Sequence, residues 1–326
     1  MRGPVLAYVT GAAGFIGSHL CDRLLRDGWD VVGIDDYATG DPGNLELARS
    51  SPRFSFVEAD AAQPWEPWIA ALDGAARAPG AVFHLASPAS PVHYERLALE
   101  TMAVNAVGTM HAVACARAHA AVLLYASTSE TYGDPLEHPQ RETYWGNVNP
   151  VGTRACYDES KRFGEAYVAT AVRKLGVDAR TTRIFNTYGP RMQAGDGRVI
   201  PNFCVAALRG EALTVYGDGS QTRSFCYVDD LVAGLVALAT RPGLAGRVVN
   251  LGNDAEYTIR ELATITAELA GVPLRVEPRA LPPDDPSRRR PDLTLARELL
   301  GWAPQVPLRE GLAATLDHFR SAAARV

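Results

Sequence analysis

Cysteines that could pair are what this chain of 326 residues lacks first. Cys21, Cys115, Cys156, Cys204 and Cys226 are scattered, odd in number and never spaced Cys-x-x-Cys. That excludes a disulfide framework and a cysteine zinc site, and it predicts a reducing cytosolic setting. The seven histidines contain no i, i+4 ligand pair, so no metal is expected. Positive charge is also scarce: the formal net charge is -5, and Arg288-Arg289-Arg290 is the only dense basic run. Such a balance offers no surface for nucleic acid. No apolar run is long enough to span a bilayer, and no signal peptide is read ahead of the first strand. The expectation is a soluble cytoplasmic protein without nucleic-acid or membrane partners.

What is present is a large core and a regular alternation. With 47% hydrophobic residues the chain can fill one big domain or two. The apolar run Val5–Thr10 ends in Gly11-Ala12-Ala13-Gly14-Phe15-Ile16-Gly17, and a helical pattern (Ile16, Leu20, Leu24, Leu25) follows at once. Strand, glycine loop and helix form the context in which bare backbone admits a pyrophosphate to a helix N-terminus. The next strand, Asp30–Ile34, ends in Asp35-Asp36. An acid at Asp35 suits the adenosine ribose hydroxyls and repels a 2′-phosphate, so NAD is expected rather than NADP.

Phe54–Val57, Ala81–Leu85 and Val122–Tyr125 read as further buried strands, with a long helical segment from Leu97 to His119. Asp60 follows one strand and reads equally as an adenine contact or a turn cap. The alternation predicts an α/β fold, a doubly wound parallel sheet whose strand C-terminal ends form a ligand rim. Asp35, Ser87, Thr128 and Asn186 fall on that rim. Beyond Ile184 come a turn (Asn186–Arg191), helices at Arg198–Leu208, Phe225–Leu238, Ile259–Leu269 and Leu308–Phe319, and strands at Leu213–Tyr216, Val248–Asn253 and Leu274–Glu277. Residues 1–185 and about 225–255 are expected to form the cofactor domain. Residues 186–224 and about 256–326 are expected to form a smaller, discontinuous substrate lobe.

Tyr157 and Lys161 lie four apart in a segment of helical period, hence side by side on one face. An ammonium near a phenol favours the phenolate, a general base. The glycine loop, the hydroxyl cluster after the Val122 strand and this Tyr-x-x-x-Lys pair together resemble the extended short-chain dehydrogenase/reductase family. The resemblance implies that Thr128 is the hydroxyl partner of Tyr157 and Lys161; otherwise it only caps a strand end. It also implies NAD contacts at Gly11, Gly14, Phe15, Ile16, Gly17, Asp35, Asp36, Thr39, Asp60, Ala61, Leu85 and Ser87.

Within the family, His84–Pro91, Ser127–Pro135, Tyr144–Gly146, Arg154–Tyr157, Arg183–Met192, Gly217–Phe225 and Asp284–Asp292 look like the UDP-glucuronate decarboxylases. The chain departs from them at Ala103, where a lysine is common, and mildly at Asp36. The resemblance implies oxidation at sugar C4, loss of carbon dioxide from the resulting β-keto acid, and reduction to UDP-xylose. It assigns acid/base work to Glu130 with Ser129 beside it, and places Arg289 near the carboxylate or enolate. A buried Glu130 would have a raised pKa; the plainer readings are a solvated loop acid and a surface arginine. Asn186, Arg191, Asn202, Gln221 and Arg223 match positions for uridine and diphosphate, while Tyr94 and Tyr216 read as pocket lining or packing. The rivals are a UDP-glucuronate 4-epimerase, disfavoured by Ser129-Glu130, a nucleotide-sugar 4,6-dehydratase, disfavoured by Ser129 where such enzymes usually show Asp, and a non-catalytic NAD-bound regulator. A homodimer is expected through the Val104–Val113 and Tyr157 helices.

Overall fold

The structure is a computed structural model that describes residues 5–72, 78–280 and 288–323. Of the stretch Asp284–Asp292, the part up to Ser287 lies outside the described residues.

Six strands alternate with helices as the hydrophobic pattern predicts: β1 (Leu6–Thr10), β2 (Asp30–Asp35), β3 (Phe54–Glu58), β4 (Ala81–His84), β5 (Val122–Thr128) and β6 (Ala179–Ile184). With the edge strand Val248–Leu251 they form a seven-stranded sheet in the order edge strand, β6, β5, β4, β1, β2, β3. All neighbours are parallel. The order reverses between β1 and β4, which opens a crevice at their C-terminal ends.

Every residue of β1 is buried, because helices cover both faces of the sheet. Its alternate side chains feed different cores. Ala7 and Val9 join Leu20 and Leu24 of the glycine-loop helix Phe15–Arg26 and Leu231 and Leu235 of the helix Val228–Thr240. Leu6 and Tyr8 join Val113 and Val168 on the opposite face. Each fully buried leucine contributes about 1.5–3 kcal/mol relative to exposure.

Several boundaries differ from the sequence reading. β5 continues past Tyr125, because Ala126, Ser127 and Thr128 stay in register with Thr182, Arg183 and Ile184 of β6. The long helical segment contains a π turn, Val104–Gly108, between the helices Ala98–Ala103 and Thr109–Ala118. Such turns re-aim a helix and often lie at functional sites. Here buried Asn105 donates from Nδ2 to Ser160 Oγ at 3.0 Å. The expected turn at Asn186 holds a two-residue strand, Thr187–Tyr188, paired with Cys226–Tyr227, so the next helix begins only at Val228. The strand expected at Leu274 lies at Val276–Arg279.

A third cluster (Phe203, Leu213, Leu262, Leu312 and Leu316 among others) gathers the segments beyond the main sheet. Leu293, Ala296, Leu300 and Trp302 belong instead to the first cluster, although the sequence reading groups them with the lobe. Among the described residues no helix is long and apolar enough to cross a membrane.

Candidate active site

A cavity of about 1090 Å³ opens along the rim. Every residue named above for cofactor, catalysis or substrate lines it, from Gly11 to Arg289. β2, β4, β5 and β6 deliver Asp35, Ser87, Thr128 and Asn186 to this rim, as their strand-end positions predict.

The glycine loop is built for close approach. Gly11 has φ +74, and a Cβ there would sit 2.9 Å from Ala86 N. A Cβ on Gly17 would lie 1.9 Å from the Gly11 carbonyl oxygen. Among the described residues no side chain caps the helix that begins at Phe15. Its first N–H groups and its positive dipole end therefore suit a phosphate. Asp35 is buried; its Oδ2 accepts Ala13 N at 2.9 Å and its Oδ1 accepts Tyr37 N at 2.8 Å. Each oxygen keeps a lone pair for a sugar hydroxyl. Burial pushes the Asp35 pKa up against these bonds. Asp60 makes the turn contact, accepting Ala62 N at 2.8 Å, while still facing the cavity. Asp36 accepts Ala38 N, and Thr39 O accepts Gln193 Nε2. The dinucleotide half of the cavity thus fits NAD.

Tyr157 and Lys161 are buried on the helix Ala155–Leu175. Lys161 Nζ donates to Ala126 O at 2.8 Å and lies 5.9 Å from the Tyr157 ring centroid. The expected priming is not found. Burial pushes the Tyr157 hydroxyl well above its usual range, opposed by a hydrogen bond from Thr128 and reinforced by the Glu130 charge. Burial likewise brings Lys161 down to about 7. Desolvation decides both shifts because both groups sit in the protein interior, and the Glu165 charge offsets it only in part at Lys161. Tyr94, also buried, stacks on Tyr157 with ring centroids 5.1 Å apart and an interplanar angle of 8°.

Glu130 overturns a second expectation. It lies in the turn Ser129–Tyr132 after β5, where Thr128 Oγ1 accepts Glu130 N. Its carboxylate is gripped by both ends of the Arg289 guanidinium and by Arg154 Nη2 at 2.5 Å. Burial raises its pKa, but Arg289 and Arg154 together hold it below the usual carboxylate range. It is therefore an anion and not a ready proton donor. Arg289 is buried, not a surface charge, and stands opposite Arg223 in the pairing of Arg288–Arg289 with Thr222–Ser224.

The sequence reading named Arg289 but missed Arg154, the second partner of this acid, and its neighbour Asp158. Arg154 and Asp158 are one turn apart at the start of the Tyr157 helix, a spacing that could have flagged them. Asp158 is buried with Oδ1 unpartnered among the described residues, and burial followed by the Glu130 charge brings it up to about 7. Arg198, held by Asp196 at 2.5 Å, lowers the Tyr157 pKa by its charge.

The substrate-side residues are spread along the lobe wall. Asn186 O accepts Cys226 N, Asn202 Nδ2 reaches Gly197 O, and Gln221 Nε2 reaches Tyr216 O. Arg223 is buried and Tyr216 partly exposed. Arg191 has φ +69 and binds Asp22 of the glycine-loop helix at 2.7 Å, tying the two sides of the cavity together.

A cleft with a glycine phosphate cradle, a ribose acid and a Thr-Tyr-Lys set defines a nucleotide-dependent oxidoreductive site. The chain belongs to the NAD dependent epimerase/dehydratase family, whose model matches residues 7–252. UDP-glucuronic acid decarboxylase 1 of Arabidopsis thaliana is 47% identical over 96% of this chain and 69% of that protein. The Danio rerio protein of the same name is 47% identical over 95% of this chain and 72% of that protein. Among solved structures, UDP-glucuronic acid 4-epimerase from Bacillus cereus in complex with UDP-glucuronic acid and NAD superposes with TM-score 0.87 at 27% identity, covering 98% of this chain and all (100%) of the other. The dTDP-glucose 4,6-dehydratase DesIV of Streptomyces venezuelae, with NAD bound, gives 0.88 at 28% identity over 98% of each chain.

Proposed function

We propose that this chain is an NAD-dependent UDP-glucuronate decarboxylase that yields UDP-xylose. The observation that carries the reading is the Arg289–Glu130–Arg154 cluster in the wall of the cavity that holds Tyr157. An epimerase acting on a neutral hexose has no use for fixed guanidiniums there. A uronate that loses its carboxylate does. The relatives that match almost the whole chain at 47% identity carry the decarboxylase name.

Gly11, Gly14, Phe15, Ile16 and Gly17 would hold the pyrophosphate of NAD, and Asp35 would hold its adenosine ribose. NAD supplies, when bound, a hydride acceptor for sugar C4 and the donor that returns it. As the C4 hydroxyl proton passes to the Tyr157 oxygen, the phenol proton is relayed towards neutral Lys161, and both transfers reverse on reduction, with Thr128 hydrogen-bonded to the same oxygen. Lys161 lies on the next turn, and its pKa of about 7 lets it exchange a proton near neutrality. As carbon dioxide leaves, the C5–C6 electron pair moves towards the C4 oxygen, which Tyr157 and Thr128 hold. Arg289 and Arg154 offset the negative charge of the carboxylate and the enolate. Glu130, with Ser129, orders these arginines, and as an anion it can accept a hydrogen bond from and orient the water that delivers the proton to C5. Asn186, Asn202, Gln221, Arg223 and Arg191 hold the uridine diphosphate, with Tyr94 and Tyr216 lining the pocket.

Residues 1–185 and about 225–255 then serve as the cofactor domain, and 186–224 and about 256–326 as the sugar-nucleotide lobe, apart from the segment 293–302 that packs on the first core. The working form is a cytoplasmic homodimer. The test is direct: purified protein given UDP-glucuronate and NAD should release carbon dioxide and form UDP-xylose without net NADH. UDP-galacturonate as sole product would establish an epimerase, and a 4-keto-6-deoxy sugar from a UDP-hexose a dehydratase.

A further inference from the structure

The Glu130–Arg289 pair joins two segments far apart in the chain, and both are fastened to one buried hub. On one side, the turn Ser129–Tyr132 carries Glu130 and ends in Tyr132, whose hydroxyl donates to Asn250 Oδ1 at 2.8 Å. On the other side, Arg289 is followed by Arg290, whose N–H donates to Gln140 Oε1 at 2.8 Å and whose carbonyl accepts Gln140 N at 2.9 Å. Asp292 N donates to Gln140 O at 2.8 Å. Asn250 closes the circuit: its Nδ2 donates to Gln140 O at 3.0 Å and to Asp292 O at 3.2 Å. Tyr132, Gln140 and Asn250 are at most 1% exposed. Asn250 stands in the edge strand Val248–Leu251, so the hub is referenced to the central sheet.

We propose that Asn250, with Tyr132 and Gln140, is a positioning device that sets the Arg289 guanidinium against Glu130, so that the carboxylate chemistry depends on a hub which itself touches no substrate. The hub lies outside the cavity lining, whereas Glu130 and Arg289 lie within it. Buried amides and hydroxyls with all their partners made fix geometry tightly, since any displacement leaves a polar group unsatisfied. The link to carbon dioxide release rests on the decarboxylase reading; the link to Glu130 does not.

Two conservative variants cut the hub from opposite sides. Tyr132→Phe removes the bond from the Glu130 turn to Asn250, together with the contact of the same hydroxyl with Arg183. Asn250→Asp keeps the acceptor for Tyr132 but replaces the donor that holds Gln140 O and Asp292 O. Carbon-13 NMR of the Glu130 carboxyl, on protein without substrate, reads the grip of Arg289. In each variant the titration midpoint should rise by about one pH unit or more, as an opposite charge moves away. An unchanged midpoint in both folded variants overturns the proposal, whatever the reaction. If Asn250→Asp fails to fold, the milder Tyr132→Phe decides alone. With UDP-glucuronate, carbon dioxide release should slow by about tenfold to a hundredfold while C4 oxidation persists, the cost expected of a misplacement near 1 Å. In an Arg289→Ala background neither variant should slow release further. Full additivity there refutes a route through Arg289. A raised midpoint together with wild-type protein that releases no carbon dioxide keeps the hub and overturns the decarboxylase reading instead.

Discussion

At the scale of single residues, the cavity is governed by competition between desolvation and charge. Tyr157 and Lys161 are pushed towards their neutral forms, because burial outweighs the opposing charges of Arg198 and Glu165 respectively. Glu130 has lost water too, yet two guanidiniums keep it ionised. Glu130→Gln should therefore leave oxidation at C4 and slow the later steps by about 10²–10⁴. Reduced nicotinamide absorbance would then persist during turnover; turnover equal to wild type would remove Glu130 from the chemistry. Asp158 behaves in the opposite way. Its folded pKa, brought up to about 7, lies above that of the free carboxyl near 4. Between those values the unfolded chain has lost the proton and the folded chain keeps it, so stability falls as pH rises through this window. Asp158→Asn should melt higher than wild type at pH 8 by up to a few kcal/mol in stability, on the order set by the shift. Near pH 4 the difference should vanish. A gap that stays constant from pH 4 to pH 8 would tie it to the unpartnered oxygen and not to titration.

At the scale of elements, the Ala155–Leu175 helix must lie close against β5 to bring Tyr157 beside Thr128. Gly164 makes that approach possible: a Cβ there would fall 2.1 Å from Tyr125 Oη. Tyr125 is fully buried and its hydroxyl donates to Lys161 O at 3.2 Å, so it cannot swing aside. Gly164→Ala should destabilise by about 1–3 kcal/mol through overpacking, despite the better helix propensity of alanine. Activity should fall as well, because Lys161 shifts with its carbonyl. Denaturant melts and turnover measure both, and adding Tyr125→Phe should restore part of the loss. A single variant as stable and active as wild type would show that the helix can lift off the strand freely.

At the scale of the whole molecule, apolar side chains remain on one helical face. Leu99 is 78% exposed, and Met102, Val107, Met110 and Phe163 are between 40% and 45% exposed. They belong to the segment around the π turn and to the Tyr157 helix, which pack side by side. A second copy of the same face would cover them as a four-helix bundle. Light scattering at micromolar concentration should give a dimer, and Met110→Glu with Phe163→Glu should yield a monomer. A wild-type monomer would leave that face without a role.

The sequence determined the strand–helix alternation, the glycine cradle, Asp35 on its rim and the Tyr157–Lys161 pair. Each is a local pattern, in which spacing alone dictates the face or turn a residue occupies. The end of β5 was not legible, since Ser127 and Thr128 look like a polar loop until β6 supplies their hydrogen bonds. Tertiary structure alone decided the charge of Glu130. Arg154 and Arg289 lie 24 and 159 residues from it in the chain, and no local pattern brings them to the same carboxylate. The same holds for Tyr157, whose pKa follows from water excluded by Tyr94 and the rest of the cavity wall. Position along one element is written locally, whereas desolvation and long-range charge pairing depend on which surfaces meet once the chain has folded.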